Sequence, residues 1–155
     1  MASHSPPPPA VIAFAEAHVD APPHLVWATE ADLKGWPSWN PDVGWVDVAG
    51  PVVAGTPFRW LAGGIPIRSV LRAVEPGRRI SWAWRAPLGL RAVHVWTFTP
   101  EDGGTRVRTV ETFDGWFARI ASGPLQRTLS VTLRLGVAAL REESERRAGG
   151  GLVHR

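Results

Sequence analysis

The chain of 155 residues has no cysteine and no tyrosine. The absence of cysteine excludes disulfides and thiolate metal centres and fits a reducing compartment, so a cytoplasmic protein is expected. Lysine is nearly missing too: Lys34 stands alone, and 16 of the 17 basic residues are arginine. No apolar run reaches the roughly eighteen residues of a membrane-spanning helix. Residues 1–10 lack the basic start and apolar centre of a secretory leader. The histidines His4, His18, His24, His94 and His154 show no paired metal spacing. There is also no phosphate-cradling glycine loop and no serine nucleophile elbow, so neither a metal nor a cofactor is expected.

What the chain does have is tryptophan, nine residues of it, and a net charge of +3. Each indole brings a large apolar area and one N–H that wants an acceptor, which suits a core or the wall of a cavity. The basic residues Arg59, Arg68, Arg72, Arg85, Arg91, Arg106 and Arg108 are spread along the sequence, and several alternate with apolar neighbours. That pattern describes the wet face of half-buried strands, so no nucleic-acid partner is expected.

Residues 1–9, with prolines at 6–9, read as an extended tail, residues 10–148 as a single domain, and residues 149–155 as a second tail. Residues 11–20 alternate as a strand, with Val11, Ala13, Ala15, Ala17 and Val19 as the core face. Pro22 and Pro23 open a short helix to about Asp32 with Leu25, Val26, Ala28 and Thr29 inward. Residues 33–41, LKGWPSWNP, allow a single turn or a short second helix that docks Trp36 and Trp39. Strands are then expected at 44–48, 56–61, 66–74, 78–85, 90–99 and 105–113, joined by short turns that imply antiparallel neighbours. Residues 116–122 read as a short helix or a bent lead-in. From Pro124 to about residue 147, Leu125, Leu129, Leu133, Val137 and Leu140 recur at helical steps, with Arg127, Arg134 and the run 141–147 on the wet side. Two short helices cannot cover the apolar face of such a sheet. The long helix must lie across it, which gives an α+β domain of about seven strands in β-α-α-β6-α order.

Two segments carry a family resemblance. HVDAPPHLVWATEADLKGWPSWNP resembles the strand, proline-started helix and Trp-x-x-Trp-x-Pro opening of the START-like (SRPBCC) superfamily. HVWTFTPEDGGTRVRTVETFDG resembles its Trp-x-x-x-Pro, Gly-Thr-Arg-Val, Glu-x-Phe-x-Gly hairpin. That superfamily includes the birch-pollen allergen and the polyketide cyclase/dehydrase proteins. The resemblance implies a helix-grip fold whose cavity, between sheet and C-terminal helix, holds an apolar small molecule.

The two-residue period of the last hairpin puts Ala92, His94, Trp96 and Phe98 on one face, and Val107, Thr109, Glu111 and Phe113 on one face. Pairing around Asp102 sets Trp96 against the region of Val107 and His94 against residues 109–111. His94 and Glu111 are therefore the candidate proton-transfer pair, because a carboxylate orients an imidazole and shifts its protonation. The same residues serve equally as ligand contacts or as an internal ion pair that satisfies buried polarity. Trp82 with Trp84, and Phe58 with Trp60, face inward as pairs. The expected ligand contacts are Trp60, Trp82, Trp84, His94, Trp96, Thr109, Glu111, Phe113, Leu129 and Leu133. Gly136 leaves room on the last helix for a ring or a ligand. Trp36 and Trp39 are expected to anchor the short helices at the cavity mouth.

The leading reading is a carrier or sensor for a hydrophobic lipid, polyketide or polycyclic molecule, acting as a monomer or weak homodimer. An aromatase/cyclase using His94 and Glu111 is the enzyme alternative. A protein-interaction module like the superfamily's chaperone-activator members is the third, and it calls for an exposed apolar patch in place of a deep pocket.

Overall fold

The computed structural model describes residues 5–150. Strand β1 (Val11–Val19) leads into helix α1 (Pro23–Ala31), a 3-10 turn (Leu33–Gly35) and the one-turn helix α2 (Trp36–Trp39). Six strands follow: β2 (Val43–Asp47), β3 (Pro57–Ala62), β4 (Ile65–Glu75), β5 (Arg79–Ala86), β6 (Leu90–Glu101) and β7 (Gly104–Asp114). Helices α3 (Trp116–Ile120) and α4 (Ser122–Gly150) close the fold. All seven strands form one antiparallel sheet in the order β1-β7-β6-β5-β4-β3-β2. This is the β-α-α-β6-α order that the sequence pattern predicts and the helix-grip arrangement that the resemblance implies. Helix α4 starts two residues before Pro124 and runs into the segment expected as a tail. Residues 1–4 and 151–155 of the two expected tails lie outside the described residues.

Alternation decides which face is inner. Val11, Ala13, Ala15 and Val19 of β1 are buried while Ile12 and Phe14 are exposed, so the alanine-valine face is the core face. The same face carries Phe58, Leu71, Trp82, Trp96 and Val107 from the other strands. One bulge breaks the pattern. The β4–β5 register shifts between Leu71 and Ala73, and the Ser81 hydroxyl accepts the Ala73 N–H at 3.1 Å. This keeps a buried backbone donor paired where the sheet bends.

Helix α4 lies along β1 and runs parallel to it. At one end the Gln126 amide donates to the Ile12 carbonyl at 2.7 Å. At the other, a Glu145 carboxylate oxygen accepts the Asp20 N–H at 3.1 Å. The lengths match: about 26 Å of strand between Ile12 and Asp20 against about 28 Å of helix between Gln126 and Glu145. These side chains also occupy part of the otherwise open edge of β1. Leu129, Leu133, Val137 and Leu140 are buried beneath the helix, a gross stabilisation of about 6–12 kcal/mol. Side-chain size explains the placement. Alanines 13, 15 and 17 let the helix backbone approach β1, and tryptophans fill the space farther out. In the run 141–147, expected to be wet throughout, Glu143 and Ser144 are buried. Glu143 is bridged by Arg146 and then by Arg147, which hold its carboxyl down to about 2.

In α1 the inward stripe is Val26, Thr29, Glu30 and then Leu33, at helical steps. Ala28 is exposed, which corrects the expectation that it turns inward. Glu30 is only 4% exposed and has no hydrogen-bond or ion-pair partner for its carboxyl among the described residues. Burial therefore pushes its pKa well above the usual carboxylate range.

The glycine of the Glu-x-Phe-x-Gly motif, Gly115, sits at φ 109°, and a Cβ there would lie 2.2 Å from the Gly89 carbonyl oxygen. Only glycine lets β7 turn into α3 against the β5–β6 hairpin. Gly115→Ala is expected to lower stability by at least about 1–3 kcal/mol, read as a shift of the denaturation midpoint with unchanged m-value. Glu30→Gln is expected to do the opposite at neutral pH. The raised native pKa means that the native state holds a proton the unfolded state releases, so stability falls as pH rises above the unfolded carboxyl's value. The amide has no proton to lose, so the variant should be more stable than the wild-type chain at pH 7. That gain should vanish as pH falls below about 4. A gain independent of pH would contradict a titrating Glu30.

Candidate functional site

Cross-strand register builds the site. His94 on β6 stands opposite Trp82 on β5 and Glu111 on β7, and Glu111 stands opposite Ala13 on β1. Trp96 stands opposite Thr109, two residues from the expected partner Val107, which pairs with Phe98 instead. The hairpin closes on Asp102 and Gly103, both at positive φ, as a tight two-residue turn requires. The turn fixes the register, and the register places the imidazole.

The His94 ring lies between two indoles, 4.8 Å from Trp82 and 5.4 Å from Trp96 by ring centroid. Its Nε2 and the Thr109 hydroxyl are 2.6 Å apart. Its Nδ1 lies 2.6 Å from Glu111 Oε2, an ion-pair distance with the carboxylate off the axis of the ring N–H. The Trp84 indole donates to the same carboxylate oxygen over a long 3.4 Å. His94, Thr109, Glu111 and the three tryptophans are all buried. The result is a carboxylate–imidazole–hydroxyl row in a buried, aromatic setting, where an unpaired polar atom costs most.

Three such unpaired atoms are present here, His94 Nδ1 itself and two indole nitrogens, with Trp39 Nε1 and Ser144 Oγ elsewhere among the described residues. The indole N–H groups of Trp82 and Trp96, on either side of His94, are buried without an acceptor. Phe113 joins the cluster edge-on to Trp84 at 5.2 Å. Trp60 joins through Trp82 and donates to Ser69 Oγ at 3.0 Å. Leu129 and Leu133 belong to the same core on α4. Gly136 faces the tip of Trp96, where a Cβ would sit at an ordinary 3.9 Å. The space between sheet and helix is thus occupied by rings. The surface has a cleft of about 430 Å³ between β1 and α4 and another of about 520 Å³ beside Trp45, and neither is lined by His94 or Glu111.

Trp60, Trp82, Trp84, His94, Trp96, Thr109, Glu111 and Phe113 thus form one contiguous group, while Leu129 and Leu133 lie in the wider core. Trp36 anchors the short helices as expected, but at depth, and sequence reasoning missed Glu30 and Ser69. Trp36 is 2% exposed and packs on Phe58, Trp60 and Trp82. Its N–H donates to the Glu30 carbonyl at 2.8 Å, which ties α2 to α1. Helical spacing from Val26 would have found Glu30, and strand alternation from Ile67 would have found Ser69.

No functionally curated protein matches the chain in sequence. Among solved structures it is similar to the Zhui aromatase/cyclase from Streptomyces sp. R1128, with 20% identity, TM-score 0.73 and coverage of 88% of this chain and 94% of that one. It is also similar to TTHA0849 from Thermus thermophilus, at 25% identity and TM-score 0.70, over 86% and 96% of the two chains. A hypothetical protein, jhp0584 from Helicobacter pylori, shares the fold at TM-score 0.76 with 15% identity, over 88% and 89%. Residues 12–145, nearly the whole described domain, match the family described as "Polyketide cyclase / dehydrase and lipid transport", and the chain belongs to that family.

Proposed function

We propose that the protein binds an apolar, ring-bearing small molecule between the sheet and α4, and that an oxygen of this ligand takes the free indole N–H groups of Trp82 and Trp96. Family membership supports a ligand-binding or cyclising role. The observation that carries the reading is the pair of buried N–H donors without acceptors beside His94. Buried donors are ordinarily satisfied, so a pair of orphans inside one aromatic cluster calls for an acceptor from outside the chain. The flat faces of Trp82, Trp84 and Trp96 suit a stacked polycycle, and His94, Thr109 and Glu111 suit its hydroxyl or carbonyl groups. Binding requires the rings to part, so the ligand selects a more open arrangement of the cluster than the one described.

The cyclase reading rests on a different feature, the chain from Glu111 through His94 to Thr109. In that reading the imidazole moves a proton during ring closure and dehydration of a linear poly-β-keto substrate, and Glu111 holds its orientation.

Titration with a hydroxyanthraquinone should quench tryptophan fluorescence saturably. Glu111→Gln should weaken that binding by about 1 kcal/mol while the fold is kept. Trp45→Phe should leave affinity unchanged, because Trp45 is 43% exposed and outside the cluster. Equal losses in both variants would remove the site from the inner face. On a linear poly-β-keto thioester, the cyclase reading expects Glu111→Gln to lower turnover by about 10²–10⁴-fold. Saturable binding with no turnover in the wild-type protein would leave the carrier reading alone.

A further inference from the structure

The arginines that are spread out in sequence line up in space. Directly paired residues share a face, and across four strands the register runs Arg59, Arg68, Arg85, Arg91 before ending at Asp114. All four arginines are exposed on the outer face of the sheet, opposite the face that carries His94. Arg59 is held by Asp47 at 2.8 Å, and Asp114 is taken by Arg119 at 3.0 Å. Among the described residues, Arg68, Arg85 and Arg91 have no carboxylate within 4.0 Å. Like charges directly opposite each other destabilise a sheet, so three in register work against the fold.

Two residues farther along each strand lies a second row: Pro57, Val70, Ala83, Val93, Thr112 and Ile12. Val70, Val93 and Ile12 are 37%, 44% and 55% exposed. A basic row and an apolar row thus run side by side across the strands. At the β3 end of the basic row, the cleft of about 520 Å³ lies between Trp45, Pro66, Pro87 and Arg59, Arg68, Arg85.

We propose that this outer face docks an acidic amphipathic helix of a partner protein, laid across β3 to β6 with carboxylates on Arg68, Arg85 and Arg91 and its apolar flank on Val70, Ala83 and Val93. The spacing supports it. Neighbouring strands lie about 4.8 Å apart, and acidic side chains three or four residues apart on a helix lie about 5–6 Å apart. The cleft beside Trp45 takes a large apolar side chain from the same helix, as an anchor. Charge argues against a second copy of this chain as the occupant. The other margin of the face carries Arg79 and Arg108, paired through Thr97, so either superposition of two such faces sets arginine against arginine. The surface is separate from the inner-face ligand reading and stands or falls without it.

The probe is a synthetic helical peptide of about 14 residues, roughly 21 Å long, with Glu along one flank and Leu along the next. Added to the full chain, it should shift amide NMR signals in the two rows and leave those of His94 and Glu111 unmoved. Arg68→Glu with Arg85→Glu should weaken its affinity by about tenfold or more, with a steep salt dependence in the wild-type protein. Arg127→Glu on α4 should change nothing. Arg85→Gln should melt at or above the wild-type temperature, because it relieves repulsion, so its expected loss of binding is not a loss of fold. Equal binding of the peptide with Lys in place of Glu, or affinity unmoved by the reversals, would overturn the proposal. So would a concentration-dependent dimer abolished by Val93→Glu, which would make the occupant a second copy. Binding to phosphatidylcholine–phosphatidylserine vesicles at a roughly 7:3 ratio that the same reversals abolish, with no peptide binding, would make it a membrane.

Discussion

The apolar inner face of a seven-stranded antiparallel sheet has to be covered, and α4 covers it at β1 and β7 while α1 and α2 meet the strands beyond. α4 can lie close only where side chains are small, and that is over the alanines of β1. Everything else follows from the gap left farther out. Trp36, Trp60 and Trp82 fill it by packing on one another, and Trp96 reaches Gly136 of α4. The glycine at position 136 and the tryptophan at 96 are two sides of the same fit.

A core filled with indoles brings N–H groups inside with it, and this is where structure and chemistry meet. Trp36, Trp60 and Trp84 find oxygen acceptors on Glu30, Ser69 and Glu111. Trp82, Trp96 and, on α2, Trp39 do not. Glu111 has a second task, because it also faces His94, whose other nitrogen meets Thr109. The polar centre is therefore not an isolated ion pair dropped into a hydrophobic core. It continues a network whose members are set by ring packing on both sides of the imidazole.

The same strands carry a second surface at no cost to the first, because successive residues point to opposite faces. His94 and Val93 are neighbours in the chain, yet one stands among the tryptophans and the other on the outer apolar row. A substitution on one face can leave the other intact. The inner and outer chemistry can therefore be tested separately.

How much of this was legible in the sequence depends on the range of the interaction. The period of two fixed the inner faces of β1, β5, β6 and β7, and Gly-containing turns fixed the hairpins. Proline and helical spacing marked α1 and α4. Those signals are local, so His94, Glu111 and the inward tryptophans could be nominated before any coordinates. The hairpin partner of Trp96 was misread by two residues, because register depends on which turn residues take positive φ. Trp36 was put at the rim, because nothing local says how deep a one-turn helix will sink. Glu30 went unnoticed, because a carboxylate at an inward position runs against the usual meaning of charge. The arginine row shows the difference most plainly. Along the chain, Arg59, Arg68, Arg85 and Arg91 are separated charges on alternate positions, and the sequence by itself determined only that they face water. The β3–β4, β4–β5 and β5–β6 registers bring them side by side. Only the tertiary structure could decide that, because the repulsion between them acts across strands and not along the chain.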